Sequence, residues 1–418
     1  MELLLKHGKV YQNHGFAGKD IRIKDGKIVE VGENLDTSAS TTTSSDAKVQ
    51  VIDLRGLSVI PGLIDIHTHG AVGVDVNSAK AEDFEKICRF QASQGVTGWQ
   101  ASILTDTKEQ TLWAIGEYRR WKQLSHQGAT LIGIHLEGPF LAKEYKGAMP
   151  EHLLKTPDLE LLKEYQESAG GDIRYITVSP EVEGVVEAIP QMKKLGMAVA
   201  IGHSGADYET ARRAIANGAT SATHVGNAMR LLHQHEPAIF GAVLEDQDVY
   251  AEMICDGRHL HPGTVRFILK AKGTEHVVAI TDSIMAGGLP DGFYHLGVNE
   301  VVVKDGDAKL VSDGTRAGST LTAIHAIQNL VQFTGKSLAE IVPLMTENPA
   351  KLIGIYDRTG SIAPEKDADL TILDENLEVV YTIARGNLCY SRDNQTENQT
   401  DDQTENRTEN QTENRTEK

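Results

Sequence analysis

Eight short, apolar β-like runs alternate with amphipathic helical patterns between residues 59 and 360 of this 418-residue chain. The runs predicted as strands cover residues 63–67, 98–104, 131–137, 175–179, 198–203, 221–224, 250–255 and 277–281. Helical patterns between them include residues 81–95, 108–125, 181–195 and 208–218. This alternation predicts an α/β fold, the (β/α)8 or TIM barrel, and a doubly wound open sheet is the weaker alternative.

Both ends of the chain are rich in β-like segments. They cover residues 3–7, 20–24, 27–31 and 49–54 near the start, and 368–373 and 379–383 near the end. We therefore expect residues 1–58 and 361–391 to build one small β-sandwich domain, which a barrel domain of residues 59–360 interrupts. Residues 392–418 repeat Asn-Gln-Thr-Glu and Asn-Arg-Thr-Glu without an apolar side chain, which predicts a disordered low-complexity tail.

Histidines and carboxylates recur where the predicted strands end. His67 and His69 are two residues apart, so in an extended strand their imidazoles point to the same side. The other residues of this kind, each at the end of a later strand, are Glu137, His203, His224 and Asp282. In a barrel all these strand ends meet at one face, which is where such enzymes place their active sites.

These side chains have the chemistry of a metal-dependent hydrolase. The predicted metal ligands are His67, His69, Glu137, His203 and His224. Nitrogen and oxygen ligands without sulfur favour a divalent ion such as zinc, iron or manganese. Such an ion lowers the pKa of bound water to about 7 and polarises a carbonyl group. Asp282 is placed to accept a proton from that water and return it to a leaving amine. Its alternative role is to cap a following helix, because aspartate is a favoured N-cap residue.

Charge and composition narrow the classes of partner. The net charge of −18 disfavours binding to nucleic-acid backbones. No apolar run approaches the roughly 18 to 20 residues of a membrane span, and the first residues lack the pattern of a signal peptide. Cys88, Cys255 and Cys389 lie too far apart for a cysteine-based zinc motif. We expect a cytoplasmic protein that binds neither nucleic acid nor membranes.

Longer motifs surround the strand ends. They are His135-Leu136-Glu137-Gly138-Pro139-Phe140, Lys146-Gly147-Ala148, Gly202-His203-Ser204, Asn227-Ala228-Met229, Asp256-Gly257-Arg258-His259 and Ala317-Gly318-Ser319. Together with the first His-x-His, they resemble the amidohydrolase superfamily and, within it, the N-acetylglucosamine-6-phosphate deacetylase family. The resemblance spans nearly the whole chain before the tail. The Glu-Gly-Pro-Phe and Asn-Ala-Met elements are its narrowest signals.

The resemblance implies a reaction, the metal-dependent deacetylation of N-acetyl-D-glucosamine 6-phosphate in amino-sugar catabolism. It implies that Glu137, His203 and His224 hold the principal ion. His67 and His69 would hold a second, so that each subunit binds one or two divalent ions, with zinc favoured over iron or manganese. The substrate-binding residues that it implies are Ala148, Asn227, Ala228, His235, Asp256, Gly257, Arg258, His259, Thr315, Arg316 and Ala317.

The resemblance further implies that Asp282 is the catalytic acid and base, and that the protein is a homodimer in which a basic residue of the partner subunit reaches the phosphate. Three positions depart from the family pattern. His235 stands where the family usually has arginine, which removes a bidentate, permanently charged group. Arg316 stands where leucine is common, and Met149 where a polar residue is common. We therefore hypothesise that Arg316, supported by His235 of the neighbouring subunit, takes over part of the anion binding.

Three other functions compete with this prediction. The first is deacetylation of the galactosamine epimer or of another N-acylated amino sugar. The second is a different amidohydrolase reaction, such as cyclic-amide hydrolysis or purine deamination, against which Glu-Gly-Pro-Phe and Asn-Ala-Met weigh. The third is a catalytically inactive scaffold with an amidohydrolase fold. That scaffold would be expected to lack some of the ligands or the acid, whereas this sequence has all of them.

Overall fold

The computed structural model describes residues 2–36 and 49–393. Its strands are β1 Glu2–Gln12, β2 Gly15–Lys24, β3 Lys27–Gly32, β4 Val49–Asp53, β5 Ser58–Pro61, β6 Leu63–Thr68, β7 Gly70–Ala71, β8 Val74–Asp75, β9 Val96–Leu104, β10 Thr130–Glu137, β11 Ile173–Val178, β12 Ala198–Ile201, β13 Ser221–Ala222, β14 Tyr250–Ile254, β15 Val277–Ile280, β16 Gly292–Leu296, β17 Asn299–Lys304, β18 Asp307–Leu310, β19 Leu370–Leu373, β20 Val379–Ala384 and β21 Asn387–Ser391. Of the predicted tail, all but residues 392 and 393 lie outside the described residues.

The α-helices are α1 Phe84–Ser93, α2 Lys108–Trp121, α3 Leu159–Ser168, α4 Val185–Lys194, α5 Tyr208–Ala216, α6 Ala238–Glu245, α7 Pro262–Lys272, α8 Ala323–Thr334, α9 Leu338–Ile341 and α10 Glu347–Leu352. Short 3-10 helices lie at Ala81–Asp83, Lys143–Tyr145, Glu151–Leu153 and Val342–Met345. Within the described residues, none of these helices is long and apolar enough to cross a membrane.

Eight parallel strands form the barrel, in the order β6-β9-β10-β11-β12-β13-β14-β15. Each of the eight runs predicted from the sequence overlaps one of these strands, so the predicted (β/α)8 barrel is confirmed. Every side chain of β6, β9 and β10 is buried. Helices cover one side of such strands and the barrel interior lies on the other, so both faces are buried, and polar side chains such as Gln100 and Ser102 are buried together with the apolar ones.

Capping residues position the helices around the barrel. At the start of α2, the Thr107 side chain accepts a hydrogen bond from the Gln110 N–H, and at the start of α5 Asp207 accepts one from Thr210. From α1, Phe84 packs against Trp99 of β9, with 6.2 Å between the ring centroids. Helices fixed in this way hold the strands, and therefore the strand ends, in place.

The first and last barrel strands meet at their carboxyl ends. The N–H of Asp282 donates to the carbonyl of His67 at 2.9 Å, and the N–H of His69 donates to the carbonyl of Ser283 at 2.7 Å. These two bonds nearly close the barrel. They also fix the segment after β15 directly beside the segment after β6.

A second sheet combines the two ends of the chain, as predicted. It is a mixed sheet in the order β21-β20-β19-β5-β1-β2-β3, with β4 paired to β1. Strand β19 runs antiparallel to β5, with Ile372 opposite Val59. Side chains of its own strands, including Leu5, Ile23 and Leu370, form an apolar cluster separate from that of the barrel. The predicted domain boundaries at residues 58 and 361 stay a prediction.

A three-stranded antiparallel sheet, β16-β17-β18, follows the last barrel strand and was not predicted. Its alternating pattern is short, and only some of its side chains are buried. Single turns join its strands at residues 297–298 and 305–306. The sheet is fastened to the barrel face, because the Gly297 N–H donates to Asp75 at 2.9 Å.

Candidate metal and catalytic site

Two groups of buried side chains converge at the carboxyl ends of the barrel strands. In the first group, His203 Nε2 lies 3.1 Å and His224 Nε2 3.2 Å from the same oxygen, Glu137 Oε1. The two imidazole nitrogens are 3.1 Å apart. Glu137 ends β10, and the two histidines follow β12 and β13, so residues from three strands meet at one point.

The second group consists of His67, His69 and Asp282. The Nε2 atoms of the two histidines are 3.3 Å apart, and they lie 3.5 and 3.3 Å from Asp282 Oδ1. Glu137 joins the groups, since its Oε2 is 3.2 Å from His69 Nε2. The structure thus brings together all five predicted ligands and the predicted acid.

Hydrogen bonds on the outer ring nitrogens define which atoms face inward. The Nδ1–H of His69 donates to the carbonyl of Ser102 at 3.1 Å, and the Nδ1–H of His203 donates to the carbonyl of Tyr145 at 2.8 Å. In the neutral imidazole the opposite nitrogen is then an acceptor. Its lone pair faces a carboxylate oxygen of Glu137. Acceptors that face one another at this distance repel unless a positive charge lies among them.

The spacing of the first group fits a metal ion. Zinc bonds to histidine nitrogen and carboxylate oxygen are about 2.0–2.1 Å long, which places tetrahedral ligand atoms about 3.3 Å apart. The three atoms of the first group are separated by 3.1 to 3.2 Å. His135 is buried nearby, but its two ring nitrogens form hydrogen bonds with Ser102 and Thr177, each at 2.9 Å. It therefore has no ring nitrogen left to bind a metal ion. The converging donors are those of a divalent-metal site.

The carboxylates and imidazoles of the site shift one another's proton affinities. Burial disfavours the charged form of His67, but the charges of Asp282 and Glu137 outweigh it and raise the pKa of His67 well above its usual value. Burial is likewise outweighed at His69, whose pKa rises to about 9. The pKa of Glu137 is lowered well below its usual value, because His67 and the other imidazoles outweigh burial. The site therefore favours a carboxylate surrounded by positive charge.

Several site residues adopt a left-handed backbone conformation that side chains rarely favour. The φ angle is +47° at His203, +28° at His224 and +49° at Asp282. Such conformations cost free energy and persist where the surroundings enforce them, often at functional sites. At Asp282 the bonds to His67 and Ser319 supply that constraint. No helix begins in residues 283–322, so the alternative role of Asp282 as a helix cap does not apply.

The segment after β10 passes over the metal ligands. Gly147 has a φ angle of +55°, and a Cβ atom there would lie 3.1 Å from His203 Cε1. Glycine therefore permits the close approach at this position. The same segment supplies the Tyr145 carbonyl that orients the His203 ring.

Glu252 supports the site and was not predicted from the sequence. This fully buried residue of β14 accepts hydrogen bonds from the Tyr175 hydroxyl at 2.6 Å, from the His224 backbone N–H at 3.1 Å and from His67 Nδ1 at 3.3 Å. A carboxylate behind a ligating imidazole fixes the ring and strengthens it as a ligand. The only signal in the sequence is an acidic residue in an otherwise apolar strand, Tyr250–Ile254.

We expect Glu252→Gln to reduce metal affinity or activity by about 10- to 100-fold, the usual effect of losing such a carboxylate. The amide is the same size but loses the negative charge behind His67. Metal titration of the apoprotein and kcat measure the effect. Tyr175→Phe is the matched control, because it removes one bond to Glu252 and leaves its charge; we expect a smaller effect. Unchanged metal affinity and activity in Glu252→Gln would contradict the supporting role.

A cavity of about 440 Å³ opens above the two groups. The predicted substrate residues that line it are Ala148, Asn227, Ala228, His259, Thr315, Arg316 and Ala317. Its lining also includes Lys143, Lys146 and Asp313. Asp256 holds the ring of His259 by accepting a hydrogen bond from its Nδ1 at 2.7 Å. Burial alone would raise the pKa of Asp256, but the interactions with His259 outweigh it and lower that pKa.

Other predicted substrate residues do not line the cavity. Asp256 bonds the His259 ring from outside the cavity, Gly257 is not a lining residue, and Arg258 donates to the carbonyl of Asp305. His235 is exposed on the loop of residues 230–237 and does not line the cavity. Arg316 lines the cavity, but its Nε–H and an Nη2–H donate to the two carboxylate oxygens of Asp307 at 2.8 and 3.1 Å.

Comparison with known proteins gives the family. Residues 58–389 match the model of the Amidohydrolase family. The chain belongs to the amidohydrolase family. It is 36% identical over 385 residues to the N-acetylglucosamine-6-phosphate deacetylase of Bacillus subtilis (strain 168), and the alignment covers 91% of this chain and 95% of that relative. It is 32% identical to the N-acetylgalactosamine-6-phosphate deacetylase of Escherichia coli O157:H7, over 88% of this chain and 94% of the relative.

Solved structures with the same names as the sequence relatives have a similar fold. N-acetyl-D-glucosamine-6-phosphate deacetylase from Mycobacterium smegmatis, solved with N-acetyl-D-glucosamine-6-phosphate, superposes with a TM-score of 0.85 at 30% identity, covering 93% of this chain and 100% of that one. The Thermotoga maritima N-acetylglucosamine-6-phosphate deacetylase gives a TM-score of 0.83 at 33% identity, covering 93% and 99%. The predicted resemblance to this deacetylase family is confirmed, and the chain is a hydrolase that acts on an amide.

Proposed function

We propose that this chain hydrolyses the acetamide of N-acetyl-D-glucosamine 6-phosphate, which releases acetate and D-glucosamine 6-phosphate. The observation that carries the proposal is the meeting of the metal donor atoms and Asp282 at the base of one cavity. The deacetylase relatives support the choice of substrate. An inactive scaffold is disfavoured, because all the predicted ligands and the acid converge.

The residues divide the work between metal binding and proton transfer. When bound, a divalent ion supplies the Lewis acidity that activates water and polarises the amide carbonyl. Glu137, His203 and His224 hold the principal ion, and His67 and His69 a second. Asp282 accepts a proton from the attacking water through Oδ1 and delivers it to the leaving amine nitrogen. Zinc is the proposed metal, with iron or manganese as alternatives, because nitrogen and carboxylate ligands suit all three.

The phosphate is proposed to bind at the cationic part of the cavity, where Lys146, His259 and Arg316 are lining residues. A homodimer is proposed as well, in which His235 reaches the cavity of the partner subunit. Leu231 and Leu232, beside His235 in sequence, are 59% and 52% exposed. Apolar side chains exposed to this extent on one loop are suited to a subunit interface. The cytoplasmic location also remains part of the proposal.

Amine release from a panel of sugars tests the substrate. The panel contains N-acetylated glucosamine and galactosamine, each with and without the 6-phosphate. We expect the highest kcat/KM for N-acetylglucosamine 6-phosphate. A higher value for the galactosamine 6-phosphate epimer would favour the alternative that the Escherichia coli relative represents. Indifference to the phosphate would contradict the proposed anion site.

The role of Arg316 is tested by its replacement with leucine. A charge-assisted hydrogen bond is worth about 1.5–3 kcal/mol, so we expect Arg316→Leu to raise KM for the phosphorylated sugar by about tenfold or more. KM for the unphosphorylated sugar should change little. Lys309→Met is the matched control, because Lys309 also pairs with Asp307, at 3.0 Å, but does not line the cavity. Equal losses on both sugars would mean that Arg316 only packs at the rim.

A further inference from the structure

One wall of the cavity is apolar. Leu104, Met149 and Leu296 line the same cavity as His69 and Asp282. Each of the three is at least 95% buried, and all belong to one apolar cluster. They are therefore held in place by packing on their far side, while part of each surface faces the cavity.

This wall, defined by Leu104, Met149 and Leu296, stands beside the metal donors. Leu104 ends β9 and is paired with Glu137 at the end of β10. Met149 belongs to the segment that follows β10, and Leu296 ends β16. The pieces are tied together, since Asn299 Nδ2 donates to the Ala148 carbonyl at 2.8 Å.

Two polar lining residues, Asn227 and His259, lie across the barrel from Leu104, whereas Lys146 and Arg316 belong to segments that flank the apolar wall. Asn227 and His259 follow β13 and β14. In the barrel order, β13 is four places from β9, which is half of the eight-stranded circuit. The metal donors and Asp282 lie between the two walls. A substrate whose scissile amide is at these donors therefore has Asn227 and His259 on one side, and on the other the apolar wall with Lys146 and Arg316 at its flanks.

We propose that Leu104, Met149 and Leu296 form an acyl pocket that sets which N-acyl groups the enzyme removes; this inference rests on the proposed deacetylase function. The phosphate is matched by the cationic lining residues Lys146, His259 and Arg316, and the sugar hydroxyls are matched by polar residues such as Asn227. Only the acyl carbon chain is matched by an apolar wall. The substrate class is thus N-acylated amino-sugar 6-phosphates, and the side chains of the pocket select the acyl length.

Enlarging the pocket tests the proposal. The substrates are N-acetyl- and N-butanoyl-glucosamine 6-phosphate, and the readout is the ratio of their kcat/KM values. We expect Met149→Ala to raise the butanoyl-to-acetyl ratio by about tenfold or more, because one methylene in an apolar pocket is worth about 10- to 200-fold in discrimination. Leu296→Ala should shift the ratio in the same direction. Both substrates are measured on one preparation, so partial unfolding of a variant cancels in the ratio.

Ile254→Val is the matched control. Ile254 is an apolar residue of the same cavity, but it ends β14 on the opposite side. Its truncation should leave the ratio within about twofold of wild type. Ratios unchanged in both Met149→Ala and Leu296→Ala, or changed equally in Ile254→Val, would overturn the acyl pocket. If the wild-type enzyme released amine from neither of the two substrates, the proposed function would be overturned, and the acyl pocket with it.

Discussion

Replacing Asp282 with asparagine is expected to lower kcat by about 100- to 10,000-fold, the usual contribution of general acid–base catalysis. Asparagine has nearly the same shape and can keep the backbone bonds to His67 and Ser319. It cannot accept and return a proton. Because the first ligand group, Glu137 with His203 and His224, does not include Asp282, the principal metal should stay bound.

The measurement combines kcat on N-acetylglucosamine 6-phosphate with elemental analysis of the same sample. Asp313→Asn is the matched control, since Asp313 is another carboxylate that lines the cavity but belongs to neither ligand group. It should lose at most a few-fold in kcat. Activity close to wild type in Asp282→Asn would show that a different group transfers the proton.

Replacing Glu137 with glutamine is expected to remove the principal metal. Glu137 Oε1 lies within 3.5 Å of three imidazole nitrogens, and Oε2 is 3.2 Å from a fourth. A catalytic site with three protein ligands has none to spare. Loss of metal affinity should exceed the roughly 100-fold upper range for carboxylates that act behind a ligand, and activity should be lost with the metal.

The variant should still fold, because the new amide N–H can donate to one of the imidazole nitrogens that surround it. Circular dichroism checks the fold, and elemental analysis counts the metal. His67→Ala is the comparison, since it should reduce the total metal count more than it reduces the ion held with His203 and His224. A full complement of metal in Glu137→Gln would contradict the assignment of the principal site.

The barrel and the metal donors could be predicted because both leave local patterns in the sequence. Buried parallel strands give short, mostly apolar runs. His67, Glu137, His203 and Asp282 are ionisable residues that stand where such a run ends. The topology of a barrel then brings residues more than 200 positions apart to one face.

The support and the shape of the site could not be predicted in the same way. Glu252 acts through contacts with Tyr175 and His67, and such contacts exist only in the folded chain. Leu296 lines the cavity because it belongs to the β16-β17-β18 insertion. The strands of this insertion are short and only partly buried, so they give a weak sequence pattern beside that of the barrel. For Arg316, the sequence indicated a cation beside the substrate but gave no sign of its pairing with Asp307.

Product analysis is the most direct test of the proposed function. N-acetyl-D-glucosamine 6-phosphate is incubated with the purified protein as isolated, after removal of metal by a chelator, and after addition of zinc to the chelated protein; acetate and D-glucosamine 6-phosphate are then measured by NMR. We expect equal amounts of the two products, loss of both after chelation and recovery with zinc or another divalent ion. Undiminished release from protein shown to be metal-free, or no release from the metal-loaded protein, would contradict it.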